Sequence, residues 1–215
     1  MKENLKSLFE GCWTVPNLLS LIRILLIPVF GVLFYQGEIA WAVVVLVLSG
    51  LTDFFDGKIA RRFNQISALG KILDPIADKL TQITIAVVIF LEFQKSTDPT
   101  IHWFKWVFLV FLFKELLMVI VGPIMLACGL RPGAAEIYGK VATFVFYAVM
   151  VLVIAFGPEI GALRAWFTLP TPAMVVLVIL SAVLTVVALL SYAPATFRQF
   201  KEKKQNSTPK KDTEE

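Results

Sequence analysis

The sequence predicts an all-α integral membrane protein with about six transmembrane helices and a short N-terminal interfacial helix. The composition is the first reason, because 58% of the 215 residues are hydrophobic and 17% are charged, and the mean hydropathy is +0.78. The second reason is spacing: mostly apolar segments of about 20 residues, the length that crosses a bilayer, recur along the chain. Backbone groups inside a bilayer must bond to one another, and without the alternating pattern of a β-barrel these segments form helices.

The predicted elements follow one another along the chain. Residues 1–13 mix charged positions with apolar and aromatic ones, which is typical of a short amphipathic segment at the membrane surface. Residues 14–196 form the membrane domain. Its apolar segments predict six spans, at residues 15–35, 38–62, 68–93, 102–129, 136–156 and 169–192. Residues 197–215 are largely charged or polar and predict a disordered tail.

Lysine and arginine are distributed unevenly between the two sides of this predicted domain. With the N-terminus inside, the cytoplasmic side receives most of them: Lys2, Lys6, Arg61, Arg62, Lys71, Arg131, Lys140 and the lysines of the tail. The other side receives little beyond Lys95 and Arg164. Because cytoplasmic loops are enriched in these residues, we expect a multi-pass protein of the cell membrane with both termini in the cytoplasm.

One stretch of this apolar chain carries four carboxylates, Asp53, Asp56, Asp74 and Asp78. Their spacings of three and four residues place each pair on one face of a helix, one turn apart. A short polar linker joins the two helices, so we expect all four acids at the cytoplasmic end. Ionisable groups at a membrane are costly and indicate function. Oxygen ligands without histidine or cysteine suit hard cations, which predicts a site for Mg²⁺, Ca²⁺ or Mn²⁺.

Other residue types exclude several kinds of site. The two cysteines, Cys12 and Cys128, are too few and too poorly placed for a disulfide framework. The only histidine, His102, lies in a predicted loop far from the acids, which argues against a histidine metal site or a catalytic triad. Arg23 in the first span either supports the acidic site or pairs with one of its acids, and the sequence alone leaves both roles open.

The spacing D-x2-D-G-x2-A-R-x8-G-x3-D-x3-D resembles the signature of the CDP-alcohol phosphatidyltransferase family. All eight fixed positions are present: Asp53, Asp56, Gly57, Ala60, Arg61, Gly70, Asp74 and Asp78. The segments PNLLSLIRILLIPVF (residues 16–30) and GKILDPIADKL (residues 70–80) further resemble the phosphatidylglycerophosphate synthase branch of the family. The resemblance covers about residues 15–195 of this chain.

This resemblance implies a chemistry and a role for each matched residue. Family members move the phosphatidyl group of CDP-diacylglycerol to an alcohol and release CMP. The implied ligands of Mg²⁺ or Mn²⁺ are Asp53, Asp56, Asp74 and Asp78. Asp78 would also be the catalytic base that takes the proton of the acceptor hydroxyl. The implied CDP-binding residues are Ser20, Gly57, Ala60, Arg61 and Gly70. The resemblance also implies a homodimer.

The acceptor region departs from the pattern of that branch. An anionic acceptor such as glycerol 3-phosphate needs cations, and the resemblance offers Lys114, Arg131 and Lys140 as acceptor-binding residues. Lys114 stands where arginine is common in the branch, and Gly122 stands where a second arginine is common. We expect glycerol 3-phosphate as the acceptor, giving phosphatidylglycerophosphate. Phosphatidylglycerol, the acceptor of the cardiolipin synthases in this family, is the alternative.

Two other classes of protein also place carboxylates in membranes. Intramembrane prenyltransferases use paired aspartate motifs with Mg²⁺, but their chains usually have more spans and lack the spacing described above. A divalent-cation transporter would distribute its acids through the depth of the bilayer, and Arg61 beside the acids would repel cations. The sequence therefore favours a transferase with lipid and alcohol substrates, and it gives no indication of a nucleic-acid partner.

Overall fold

The computed structural model describes the backbone of residues 14–63, 67, 69–127 and 137–206. Within these ranges it describes the side chains of all residues except 54, 56, 57, 60, 61, 71, 126, 127, 195–198 and 200–206. The helices of this part of the chain are α1 (Val15–Tyr35), α2 (Ile39–Arg62), α3 (Gly70–Gln94), the short α4 (Pro99–Phe104), α5 (Phe108–Ala127), α6 (Ile137–Phe156) and α7 (Thr171–Asn206). The prediction of an all-α protein with six long helices is confirmed. The predicted interfacial segment, residues 1–13, lies outside the described residues.

Four segments are long and apolar enough to cross a membrane: Val15–Tyr35, Pro99–Met125, Ile137–Phe156 and Thr171–Pro194. Only 17% to 39% of the most apolar window of each segment is buried inside the protein. Most of their apolar side chains therefore face outward, where lipid can cover them. α2 contributes a shorter apolar stretch, Ile39–Asp53, which stops where its acids begin. The protein is thus a multi-pass membrane protein.

α1 packs against both of the helices that carry the predicted acids. Thr14 caps it, with Oγ1 accepting the N–H of Asn17 at 3.4 Å, and Pro16 occupies the first turn, where an N–H has no helical partner. After α1 the chain turns through Gly37, whose φ of 82° is readily adopted only by glycine. This turn makes α1 and α2 antiparallel. The start of α1, the end of α2 and the start of α3 consequently lie at one end of the bundle.

Aromatic side chains fill the interior of the bundle away from the acids. The rings of Phe93 and Phe108 meet edge to face at 5.6 Å, and those of Phe111 and Phe146 lie 5.0 Å apart. These contacts join α5 to α3 and to α6, while α6 also packs against α2 and α7. Packing of this kind holds side chains in fixed rotamers. The polar residues that α5 and α6 place near the acids are therefore held by a rigid interior.

Two predicted boundaries differ from the structure. The fourth span begins earlier than expected, because Asp98 caps α4 by accepting the N–H of Thr100 at 2.8 Å, and a 3-10 turn (Lys105–Val107) continues α4 into α5. The last helix extends to Asn206, so residues 197–206 are helical and the prediction of a disordered tail is wrong for them. The lysines, glutamates and glutamines there are good helix formers, and extending an existing helix needs no new nucleus.

Candidate active site

Three of the four predicted acids have described side chains, and all three lie at the same end of the bundle. Asp53 is near the C-terminal end of α2, while Asp74 and Asp78 are in the first turns of α3. Asp53 and Asp78 are close enough for their charges to interact. The two helices therefore place these three acids at one end of the bundle.

The remaining residues of the signature are only partly described. The predicted sites Asp56, Gly57, Ala60 and Arg61 belong to the last turns of α2, but their side chains lie outside the described part of the structure. Arg131 lies outside the described residues altogether. Their predicted roles remain predictions.

α1 presents three buried polar residues to the acidic helices. Asn17, Ser20 and Arg23 recur every three residues on an otherwise apolar helix, and their exposed fractions are 6%, 0% and 2%. Residues at this spacing share one helix face. Burying polar groups is costly unless they find partners, and each of these three meets a residue at the acidic end of the bundle.

Arg23 pairs with the first acid of the signature. Its Nη1 lies 2.5 Å from Asp53 Oδ1, and the Arg23 side chain is 2% exposed whereas that of Asp53 is 55% exposed. The ion pair joins α1 to α2 with the guanidinium on the inside and the carboxylate towards the surface. The sequence left two roles open for Arg23, support of the acidic site or pairing with one of its acids. The structure shows that it pairs with Asp53, and this ion pair also supports the site.

Ser20 and Asn17 join α1 to the start of α3. Ser20 Oγ donates to Asp74 Oδ1 and also lies 3.0 Å from Pro16 O. Its one hydroxyl proton can be donated to either of these two acceptors. Ser67 Oγ donates to Asn17 Oδ1 at 2.8 Å and accepts the N–H of Gly70 at 2.9 Å.

Gly70 is buried against α1. A Cβ atom at this position would lie 2.4 Å from Asn17 Oδ1, which is closer than non-bonded atoms approach. Any larger residue here would therefore displace the Asn17 side chain from its hydrogen bond with Ser67. The resemblance gives Gly70 a role in CDP binding, and the structure gives it a further role in packing α3 onto α1.

Asp78 accepts a hydrogen bond at each of its carboxylate oxygens. Gln82 Nε2, one turn further along α3, donates to Oδ2 at 2.8 Å. Tyr147 Oη, from the middle of α6, donates to Oδ1 at 3.1 Å. Two donors from different helices fix the plane of the carboxylate. Because each oxygen has a second lone pair, the carboxylate keeps the capacity to take a proton from a bound hydroxyl.

A group of ionised side chains lies beside Asp78, and we call Lys79, Lys114 and Glu115 the Glu115 cluster. Glu115 Oε2 lies 3.2 Å from Lys79 Nζ, and Glu115 Oε1 contacts Lys114 Nζ. Lys114 also approaches Gln82 Oε1 at 3.5 Å. The predicted acceptor residue Lys114 is thus connected through Gln82 to the predicted base. Lys140, in contrast, is exposed in the first turn of α6, and no hydrogen bond or ion pair described here connects it to the acids.

The acids provide suitable ligands for a hard cation. The carboxylates of Asp53, Asp74 and Asp78 come from two helices that both pack against α1, and Mg²⁺ takes one or two carboxylates together with phosphate oxygens and water. Among the side chains that the structure describes, no three acidic, histidine or cysteine residues are grouped closely enough to hold an ion. Asp56, the fourth predicted ligand, is not among those side chains. The carboxylate oxygens of these residues are therefore suitable ligands for Mg²⁺ or Mn²⁺.

The sequence analysis missed several residues that the structure brings to this site. They are Asn17, Lys79, Gln82 and Tyr147, whereas a pairing of Lys114 with Glu115 was one of the alternatives that the sequence left open. The signal for Asn17 was its three-residue spacing from Ser20 and Arg23 on an apolar helix. The signal for Gln82 was its position four residues after Asp78 on the same helix. Tyr147 gave no such signal, because its partner is 69 residues away in the sequence.

Comparison with known proteins adds an independent observation. The sequence model described as CDP-alcohol phosphatidyltransferase matches residues 13–187. A cardiolipin synthase (CMP-forming) of Streptomyces coelicolor is 36% identical over 162 residues, which is 72% of each chain.

Two further relatives match over shorter lengths. A putative cardiolipin synthase of Mycobacterium tuberculosis is 39% identical over 134 residues, 62% of this chain and 60% of that protein. A CDP-diacylglycerol--glycerol-3-phosphate 3-phosphatidyltransferase of Salmonella typhimurium is 44% identical over 88 residues, 39% of this chain and 47% of that protein. This chain therefore spans less than two thirds of the length of either relative.

Proposed function

This chain belongs to the CDP-alcohol phosphatidyltransferase family, and from that premise we propose that it transfers the phosphatidyl group of CDP-diacylglycerol to a glycerol-containing acceptor. The acceptor oxygen forms a bond to the phosphorus that carries diacylglycerol. The bond from that phosphorus to the oxygen of CMP breaks, and CMP leaves. The observation that carries this proposal is the position of Asp78, held by donors from α3 and α6 among the signature acids.

The residues of the site divide this reaction between them. Asp78 takes the proton of the acceptor hydroxyl as the new bond forms, and Gln82 and Tyr147 keep its carboxylate oriented for that transfer. Arg23 and Ser20 hold Asp53 and Asp74 at the mouth of the site. The CDP-binding residues of this proposal are Ser20, Gly57, Ala60, Arg61 and Gly70.

A divalent cation completes the proposed site. Mg²⁺ or Mn²⁺, held by Asp53, Asp56, Asp74 and Asp78, would withdraw electron density from the diphosphate and stabilise the negative charge on CMP. The all-oxygen donor set supports this choice of metal.

We favour phosphatidylglycerol as the acceptor, which makes the product cardiolipin. The relatives that match over the longest part of the chain are named cardiolipin synthases. In addition, Lys114 and Gly122 stand where arginines are common in the phosphatidylglycerophosphate synthase branch, which leaves less positive charge for a doubly charged acceptor. Glycerol 3-phosphate remains a second candidate, because the phosphatidyltransferase of Salmonella is 44% identical over 88 residues and its name states that acceptor.

One assay tests the activity and the acceptor together. Purified protein in lipid or detergent is incubated with CDP-diacylglycerol, Mg²⁺ or Mn²⁺, and in turn phosphatidylglycerol, glycerol 3-phosphate or an uncharged alcohol. We expect CMP release with cardiolipin as the main lipid product, measured by mass spectrometry. Phosphatidylglycerophosphate as the main product would establish the second candidate. No CMP release with any acceptor would contradict the proposed function.

The proposed setting is the cell membrane, with both termini in the cytoplasm and the protein as a homodimer. The excess of lysine and arginine at the acidic end supports this orientation. In this orientation the site faces the cytoplasm, into which a soluble nucleotide can leave.

The dimer rests on resemblance to the family alone. Labelling of single introduced cysteines in intact cells would test the orientation, and cross-linking in membranes would test the dimer.

A further inference from the structure

A cleft with a volume of about 420 Å³ opens at the end of the bundle opposite the acids. The turn from α1 to α2, the end of α3 and the loop from α6 to α7 form its walls, and we call it the far cleft. The charged residues that line it are Glu38, Glu92, Lys95, Glu159 and Arg164. Pockets that bind small ligands have volumes of about 300–1,000 Å³, so the far cleft is large enough for one.

The loop from α6 to α7 is a fixed wall of this cleft. It folds back along the end of α6, where the N–H of Leu163 donates to Ala155 O at 2.7 Å. Ser96 Oγ, just after the end of α3, donates to Glu159 Oε1 and so joins the loop to α3. A cleft whose walls are held in this way loses little conformational freedom when a ligand binds.

Two charged side chains of the far cleft are available to a ligand. Glu92 is already paired with Lys95, at 2.8 Å. Glu38 and Arg164 are exposed, and neither forms an ion pair with another residue that the structure describes. Arg164 Nη1 donates to a backbone carbonyl, Glu159 O, at 3.0 Å, which leaves its charge uncompensated. The far cleft therefore offers one carboxylate and one guanidinium.

The balance of charge at this end disfavours a purely anionic ligand. Three of the charged side chains that line the far cleft are negative and two are positive. The remaining charged residues of this end, Asp98 and Lys105, have opposite signs and leave the balance unchanged. A ligand that carries a positive group as well as a negative one is therefore attracted more strongly than one that carries a phosphate alone.

Exposed aromatic side chains mark the depth of the far cleft in the membrane. Tyr35, Trp41 and Trp166 lie at this end and are 90%, 63% and 92% exposed. Tyrosine and tryptophan are enriched where a bilayer meets water, and the membrane-crossing helix α1 ends at Tyr35. The far cleft therefore lies at the depth of phospholipid headgroups, which favours a lipid over a soluble ligand.

We propose that the far cleft binds the headgroup of a phospholipid that carries a phosphodiester and a primary ammonium group, from the leaflet opposite the acids. Arg164 binds the phosphodiester oxygens, and Glu38 accepts an N–H of the ammonium group. A quaternary ammonium has no N–H and is recognised by several aromatic faces. The aromatic residues that line the far cleft are Tyr35 and the buried Phe34, so the primary ammonium fits better.

Native mass spectrometry of the full-length protein in detergent tests this choice of headgroup. Phosphatidylethanolamine, phosphatidylcholine and phosphatidylmethanol are titrated separately with the same acyl chains. The second has a quaternary ammonium and the third has none. We expect the apparent Kd for phosphatidylethanolamine to be about fivefold lower than for either of the others. Equal Kd values for the three lipids would overturn the proposal.

Two variants test the two contacts. Glu38 does not cap α2 with its side chain, so Glu38→Gln should fold normally even if Arg164→Gln does not. The apparent Kd for phosphatidylethanolamine should rise about fivefold in each variant, whereas that for phosphatidylmethanol should rise in Arg164→Gln alone. The control is Asp98→Asn, which removes a negative charge from the same end outside the far cleft and should leave both values unchanged. An unchanged Kd for phosphatidylethanolamine in either folded variant would overturn the proposal.

Glycerophosphoethanolamine, the same headgroup without acyl chains, separates a lipid site from a site for a soluble ligand. At the concentration of the lipid it should not displace phosphatidylethanolamine, because it lacks the apolar chains that remain in contact with the bilayer-facing surface. Displacement at that concentration would overturn a lipid as the occupant. These measurements involve no turnover, so their outcome is independent of the proposed function.

Discussion

Asp78 is the residue on which the proposed chemistry depends most directly. Its carboxylate is held at both oxygens by Gln82 and Tyr147, so its orientation is fixed before any substrate binds. Pre-positioned groups contribute to catalysis because they need no reorganisation during the reaction. The side chains around Asp78 therefore offer direct tests of its role.

Replacing Asp78 with asparagine should abolish most of the turnover. Asparagine has the same shape but cannot take the proton, so we expect CMP release to fall by about 100-fold or more. The matched control is Asp98→Asn at the start of α4, where asparagine caps a helix as well as aspartate does. A rate near that of wild type in Asp78→Asn would exclude it as the base.

Replacing Tyr147 with phenylalanine removes one donor from Asp78 and leaves the ring in place. A hydrogen bond to a charged group contributes about 1.5–3 kcal/mol, so kcat should fall by roughly tenfold to 100-fold. Tyr138→Phe is the control, because Tyr138 is on the same helix but 60% exposed. Equal kinetics for the two variants would show that the Tyr147 hydroxyl does not act on the reaction.

Replacing Gly70 with alanine should destabilise the protein. The new Cβ would meet Asn17 Oδ1 at 2.4 Å and displace that side chain from its hydrogen bond with Ser67, which we expect to cost about 0.5–1.5 kcal/mol. Gly31→Ala in α1 is the control, since no atom lies within 4 Å of its Cβ position. The midpoint of thermal unfolding in detergent should fall for Gly70→Ala and stay level or rise for Gly31→Ala, and equal midpoints would contradict the packing argument.

At the scale of helices, α3 carries a proline between two acids of the site. Pro75 follows Asp74 directly and lies inside the helix, where it removes one backbone hydrogen bond and crowds the preceding turn. The backbone irregularity at Pro75 therefore helps to set the direction of the Asp74 side chain relative to that of Asp78. An element that serves the site in this way gives up some stability for it.

Replacing Pro75 with alanine should separate stability from activity. A regular helix gains a hydrogen bond, so the midpoint of thermal unfolding should rise, while kcat should fall because Asp74 is reoriented. Pro123→Ala in α5 is the control, since Pro123 also lies inside a helix but outside the site, and it should change stability alone. An unchanged kcat in Pro75→Ala would show that the proline has no part in placing the acids.

The proposed metal ligands are divided between α2 and α3, two helices that are both packed against α1. A bound ion would join them and raise the free energy of unfolding with the logarithm of its concentration above its Kd. We expect EDTA to lower the midpoint of thermal unfolding as well as to stop CMP release, and Mn²⁺ to restore both. A midpoint that is unaffected by EDTA and Mn²⁺ would contradict a metal site between the two helices.

At the scale of the whole molecule, the sequence predicted the features that depend on local pattern. Long apolar segments were sufficient to predict six long helices, because the bilayer sets their length and forces backbone bonds within each segment. The positions of Asp53, Asp74 and Asp78 along their helices were likewise sufficient to predict that these acids would lie at the same end of the bundle, whereas their joint role in a metal site stays a prediction. These predictions depended on residues close to one another in the chain.

What the sequence could not predict depends on how distant helices pack. Lys79 reaches Glu115 because α5 packs beside α3, and Tyr147 reaches Asp78 because α6 packs beside α2, around a core of aromatic rings. Neither periodicity nor composition contains that arrangement. The helical extension to Asn206 was missed for another reason: low hydropathy was taken as disorder, although polar residues also extend helices.

The residues of the site are divided along the chain in a way that bears on how such enzymes diverge. The acids and the α1 side chains that hold them come from the first three helices, whereas Glu115 and Tyr147 come from α5 and α6. Under the proposed function, recognition of the nucleotide-activated lipid and contact with the second substrate would thus be encoded in separate halves of the chain. Mutations in the second half can change the product of a duplicated copy while its activated donor stays the same.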